Sequence, residues 1–158
     1  MKLRGWMIGT LMLGASVPLA LAQSDMRSPS SSSSEQYVPR LGDIMSGVQA
    51  RHVKLWFAGK AQNWGLAEFE LRQLKAGLTE AALLYSGIPV TNVTTLDGPL
   101  TDVSDAISAK DGRKFAKAMS GLTDGCNGCH QSMGRGFIAI RIPTQQQPFG
   151  NQQFAPQR

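Results

Sequence analysis

The sequence predicts an all-α fold of four helices, one of them short, with a C-terminal extension. Three observations predict it. Apolar residues recur at intervals of three and four through most of residues 39–133, the period of a helix with one buried face. Gly, Pro, Asn and Asp interrupt that pattern where helices should end and begin. The chain's 158 residues, 42% apolar and 17% charged, fit one modest globular domain. Two Cys placed three residues apart close no useful loop, which excludes a disulfide-stapled miniprotein. Only one long apolar run exists, at the N-terminus, which excludes a multispan membrane protein.

That run opens the chain. Residues 1–22 read as a secretory signal peptide: Lys2 and Arg4 form a positive start, Trp6 to Leu19 an apolar stretch, and Ala20-Leu21-Ala22 a small-x-small cleavage site. The stretch is short for a span, so no membrane segment is expected after cleavage, and export to the periplasm follows. Residues 23–36, QSDMRSPSSSSSEQ, are too poor in large apolar residues to offset their ordering entropy and read as a flexible leader.

The first helix spans Pro39 to Ala58, with Leu41, Ile44, Met45, Val48, His52, Leu55 and Trp56 on one face and Gly59 as its C-cap. Asn63 caps the second, whose stripe is Trp64, Ala67, Leu71, Leu74 and Leu78, ending near Leu84 or Tyr85. Gly87, Pro89 and the β-branched run from Val90 to Thr95 read as a loop. The turn Asp97-Gly98-Pro99 precedes a short third helix, about Leu100 to Ala109. Asp111 caps a fourth, with Phe115, Met119 and Leu122 on one face, running to about Met133 despite Gly121, Gly125 and Gly128. Residues 134–158 form a Gly-, Gln- and Pro-rich tail. Its FIAIRI patch is too apolar to leave in water, so the tail should fold back over the bundle.

Charge adds little. Cleavage removes Lys2 and Arg4 and no acid, so the formal charge of +5 shrinks further. No basic stripe interleaved with aromatics appears, which argues against nucleic acid. A weak positive field favours at most an acidic partner surface.

The chemistry resides in Cys126-Asn127-Gly128-Cys129-His130, a C-x-x-C-H sequence, the signature of covalent c-type haem attachment. Two thiols three residues apart reach the two vinyl groups on one haem edge, and the adjacent His then stands under the iron. Other readings lack support. A thioredoxin-type dithiol needs a neighbouring βαβ pattern, and a zinc site would have only His52 to join Cys126, Cys129 and His130.

The motif lies late, in the last helix. With the first-helix segment PRLGDIMSGVQARHVKLWFAGK, this arrangement resembles the class II c-type cytochromes, the cytochrome c′-like bundles, over roughly residues 37–133. The resemblance implies an antiparallel four-helix bundle with one haem c between the first and last helices. It also implies that Arg40 pairs with a haem propionate, and that Met45 stands where the family has either a sixth-ligand Met or an apolar residue facing five-coordinate iron. Relatives often dimerise through helices one and two, which implies a homodimer. The third helix is shorter, and the tail longer, than the family's pattern.

The residues leave the sixth position open between Met45, His52 and no ligand. If the first and last helices run antiparallel with level ends, a rise of about 1.5 Å per residue puts Met45 roughly 6 Å and His52 roughly 16 Å off the level of His130. Gln49, on nearly the same face, is a candidate hydrogen-bond donor to a bound ligand. Met119 and Met133 share the haem helix and do not readily reach the opposite iron face. Arg135 and Arg141 are further propionate candidates, while Trp56, Phe57 and Trp64 read as core. The function expected is an exported monohaem cytochrome passing single electrons between redox proteins. The alternative is a five-coordinate binder of NO or CO. Enzymatic peroxide chemistry lacks a distal acid–base pair unless His52 reaches the pocket.

Overall fold

A computed structural model of the chain describes residues 37–144 and 151–156. The expected signal peptide, residues 1–22, and the Ser-rich leader, residues 23–36, lie outside the described residues. Those described form helices and no strand: α1 (Leu41–Lys60), α2 (Trp64–Leu84), a single turn α3 (Val90–Thr94), α4 (Asp97–Ser108) and α5 (Gly112–Ser132). No helix among them is long and apolar enough to cross a membrane.

Each boundary has a local cause. The Arg40 carbonyl accepts from the amides of Asp43 and Ile44 and starts α1 directly after Pro39, which cannot donate. The helix does not stop at Gly59, as the sequence led us to expect, but continues to Lys60. Gly59 is buried inside it because the Phe115 ring occupies the space a Cβ would need. The chain then turns through Gln62 at φ 55°, and the Asn63 side chain accepts from the Leu66 amide at 3.2 Å to cap α2. After α2, the Tyr85 hydroxyl donates to the Pro39 carbonyl at 2.6 Å, tying the end of α2 to the entry of α1.

The segment expected as a loop between α2 and α4 contains the turn α3. Its β-branched residues have poor helix propensity, and the Thr94 and Thr95 hydroxyls donate back to the carbonyls of Thr91 and Asn92. Helix α4 begins three residues earlier than expected, since Pro99 falls in its first turn, where no amide donor is needed. In α5, Asp111 Oδ1 accepts from the amides of Arg113 and Lys114 at 2.9 and 3.0 Å, as a cap should. Those donors hold its carboxyl below the usual range, the Lys114 amide most strongly.

The core draws Leu55, Leu74, Val103 and Leu122 from four helices, all fully buried. Phe115 fills its centre, stacked on Trp56 at 6.3 Å and edge-on to Trp64 at 5.9 Å. The tail returns to the bundle as expected, and it contributes Phe154, buried against Phe57 at 5.8 Å. The same tail leaves Phe137 80% exposed, against the expectation that the whole apolar patch would leave water. A charged pair completes the interior: Arg51 Nη1 lies 3.0 Å from Glu70 Oε2, whose side chain is only 2% exposed.

Candidate functional site

Cys126, Cys129 and His130 fall on one side of α5, because positions three and four apart stack on one helix face. All three line a cavity of about 520 Å³. Its remaining walls are largely apolar: Leu41, Met45 and Val48 from α1, Leu74, Leu78 and Ala81 from α2, with Ile88, Val93 and Leu96 closing one side. Gly125 brings α5 close to that side, since a Cβ there would stand 2.7 Å from Leu96 Cδ2.

The two thiols are half-buried. Burial pushes the Cys126 thiol up to about 11, with Cys129 beside it adding to the effect, and burial raises Cys129 as well. A redox dithiol needs the opposite shift, toward thiolate at neutral pH. No group of three or more His, Cys, Asp or Glu side chains converges among the described residues to hold a bare metal ion.

His130 is held by the returning tail. Its Nδ1 lies 2.8 Å from the Ile138 carbonyl oxygen. A carbonyl only accepts, so Nδ1 carries a proton; in the neutral ring Nε2 is then the nitrogen with the lone pair, the tautomer a metal-ligating imidazole requires. Asn127 grips the same strand of tail at both ends of its carboxamide: Nδ2 donates to the Ile140 carbonyl at 2.9 Å, and the Ile140 amide donates to Oδ1 at 2.7 Å.

His52 is buried, with Nε2 2.9 Å from Thr123 Oγ1. The Thr123 hydroxyl spends its proton on the Met119 carbonyl at 2.8 Å, so it accepts from His52 and Nε2 is the protonated nitrogen. Nδ1 is then a buried acceptor with no partner among the described residues. Burial lowers the His52 pKa, keeping the ring neutral at pH 7.

Comparison with family models, with curated proteins and with solved structures found no match for this chain. The site rests on its own geometry.

That geometry brings most of the sequence candidates together. Met45 is half-buried on the cavity wall, with Gln49 and His52 further along α1. Met133, at the C-cap of α5, also lines it, whereas Met119 is core. Arg40 is not on the wall: its side chain is 91% exposed, with Nε 3.6 Å from Asp43 Oδ2. Arg135 is on the wall, and Arg141 lines a neighbouring, more polar cavity with Gln49, His52 and Ile140. Trp56, Phe57 and Trp64 pack in the core and not against the cavity. Sequence reasoning missed Thr123, Asn127 and the Ile138 carbonyl, since no spacing rule marks a hydroxyl, a carboxamide or a main-chain acceptor.

The residues fit a haem. Two thiols and a correctly protonated imidazole share one wall of a mostly apolar space whose volume lies within the ~300–1,000 Å³ of cofactor sites. They do not fit zinc, because no three or more His, Cys, Asp or Glu side chains converge among the described residues.

Proposed function

We propose that this chain is an exported monohaem c-type cytochrome that transfers single electrons. The observation that carries the reading is the Nδ1–H of His130 on the Ile138 carbonyl, beside two thiols on the same apolar cavity. Cys126 and Cys129 would hold haem c through two thioether bonds, and His130 Nε2 would hold its iron. Bound there, the haem supplies a one-electron couple between ferrous and ferric iron. The apolar side chains of α1 and α2 keep water from that couple, which limits the solvent rearrangement each transfer requires.

An antiparallel bundle is the arrangement we read. Gly59 meets Phe115 and His52 meets Thr123, so contacts climb α1 as they descend α5. From the His52–Thr123 pair, Met45 lies seven residues back and His130 seven residues on, each about 10 Å away by helical rise. With opposed helices those displacements match, which supports Met45 as the residue level with His130 and leaves His52 about two turns removed. The sequence alone had put Met45 roughly 6 Å off that level, because it assumed flush helix ends. For the propionates, Arg135 on the cavity wall is better placed than Arg40.

A second reading, capture of NO or CO, draws on the same wall: apolar side chains suit a small neutral gas if Met45 does not ligate. Absorbance of the holoprotein tests both. A Met–iron charge-transfer band in the oxidised protein, with no response to CO when reduced, supports the electron carrier. High-spin features with ready CO binding overturn it in favour of the gas binder.

A further inference from the structure

We infer that Asn127 is a positioning residue for the axial imidazole: its carboxamide pins the tail at Ile140 and so keeps the Ile138 carbonyl on the Nδ1 proton of His130. The inference rests on the proposed haem attachment. It concerns one of the two positions that C-x-x-C-H leaves unspecified.

Apolar contact is weak at the turn itself and stronger beyond it. Phe137 is 80% exposed and Ile138 44% exposed, whereas Ile140 is half-buried and Ile142 packs against the core. Polar ties set the turn that presents the carbonyl. Gly134, at φ 67°, reverses the chain after α5, and the Arg135 amide then donates to the His130 carbonyl at 2.7 Å. The Ile138 amide donates to the Arg135 carbonyl at 2.8 Å, closing a turn. These bonds are local, and beyond the turn the apolar contacts of Ile142 hold the chain near the bundle without orienting its peptide groups. Asn127 supplies the anchor: bonding both the N–H and the C=O of one residue fixes that residue's orientation as well as its distance. Ile138 is two residues upstream, and its carbonyl meets His130, three residues after Asn127 on α5.

An imidazole that donates through Nδ1 is a more basic ligand through Nε2 and favours the ferric state. Losing the clamp frees the carbonyl, weakens that donation and shifts the couple toward ferrous iron. Losing an outer partner of this kind typically costs about tenfold in metal affinity or activity; a change of that size in the ferrous-to-ferric ratio is about 59 mV for a one-electron couple, here upward.

The test compares the unaltered holoprotein with Asn127→Ala and Ile140→Pro. The second variant removes the Ile140 N–H while leaving residues 126–130 intact. We expect the ferrous-to-ferric ratio at a fixed solution potential to rise about tenfold in each. The His130 Nδ1–H, slow to exchange in the unaltered protein, should exchange faster in both. An unchanged ratio in variants that retain haem overturns the inference and leaves the attachment intact. Rapid Nδ1–H exchange in the unaltered holoprotein overturns it whatever the variants do. Failure of the attachment itself is read separately, by the absence of haem mass from the unaltered chain.

Discussion

His52 donates through Nε2 to Thr123 across 2.9 Å, a buried bond between the middle of α1 and the turn of α5 that precedes Cys126. It is the buried polar tie between the two helices from which the proposed level of Met45 and His130 is counted. Thr123→Val keeps the volume and leaves the His52 N–H without an acceptor. An unsatisfied buried donor costs about 1–3 kcal/mol, readable as a lower urea midpoint at unchanged slope.

The same histidine makes stability depend on pH. Burial depresses its folded pKa below the ordinary 6.5, so the unfolded chain binds the extra proton first. The contribution is whole above pH 6.5 and is lost as pH falls from there through the depressed folded value. Carboxylates add their own slope lower down, so the comparison of interest is unaltered protein against His52→Gln between pH 7 and 5. The variant's stability should fall less steeply.

Gly59 and Gly121 are both helical, and the same substitution should act on them with opposite sign. Replacing a helical Gly with Ala stabilises by roughly 0.5–1 kcal/mol when nothing interferes. Nothing among the described residues lies within 4 Å of a Cβ at Gly121, so Gly121→Ala should raise the melting temperature. At Gly59 the Cβ meets the Phe115 ring, which Trp56 and Trp64 prevent from yielding. Overpacking of that kind costs about 1–3 kcal/mol and should outweigh the gain, so Gly59→Ala should melt lower.

Glu70 is the buried member of its ion pair, while Arg51 is 34% exposed. Removing Arg51 strands a carboxylate in the interior, whereas removing Glu70 releases a guanidinium that can reach water. Arg51→Ala should therefore cost about 3 kcal/mol, the lower end for a broken buried pair, and Glu70→Leu distinctly less. Denaturant unfolding of both variants checks the order.

Met45→Ala bears on the iron. If the thioether is the sixth ligand, the variant loses the Met–iron band, gains CO binding and shows a lower potential, since Met ligation raises it. A spectrum identical to that of the unaltered protein would exclude Met45 as a ligand.

Elements with one buried stripe and a side-chain cap were legible, and α2 and α5 begin where Asn63 and Asp111 said they should. Gly59 was misread because a glycine after an apolar stripe looks like a C-cap, and only the Phe115 ring, 56 residues away in sequence, reveals its purpose. Phe154 sits in a polar, Gln-rich context that gives no period, so its place in the core was invisible. The site divides the same way. Local spacing marked Cys126, Cys129 and His130, which share one cavity wall, but the carbonyl that His130 meets comes from the tail, where no period announces it.

The proposed function stands on a haem carried by Cys126 and Cys129, which mass spectrometry of the matured chain after denaturation reads without ambiguity. We expect the polypeptide plus one haem, joined through a peptide that contains residues 126–130. Recovery of polypeptide mass alone, from cells competent to attach haem c to other proteins, would contradict it.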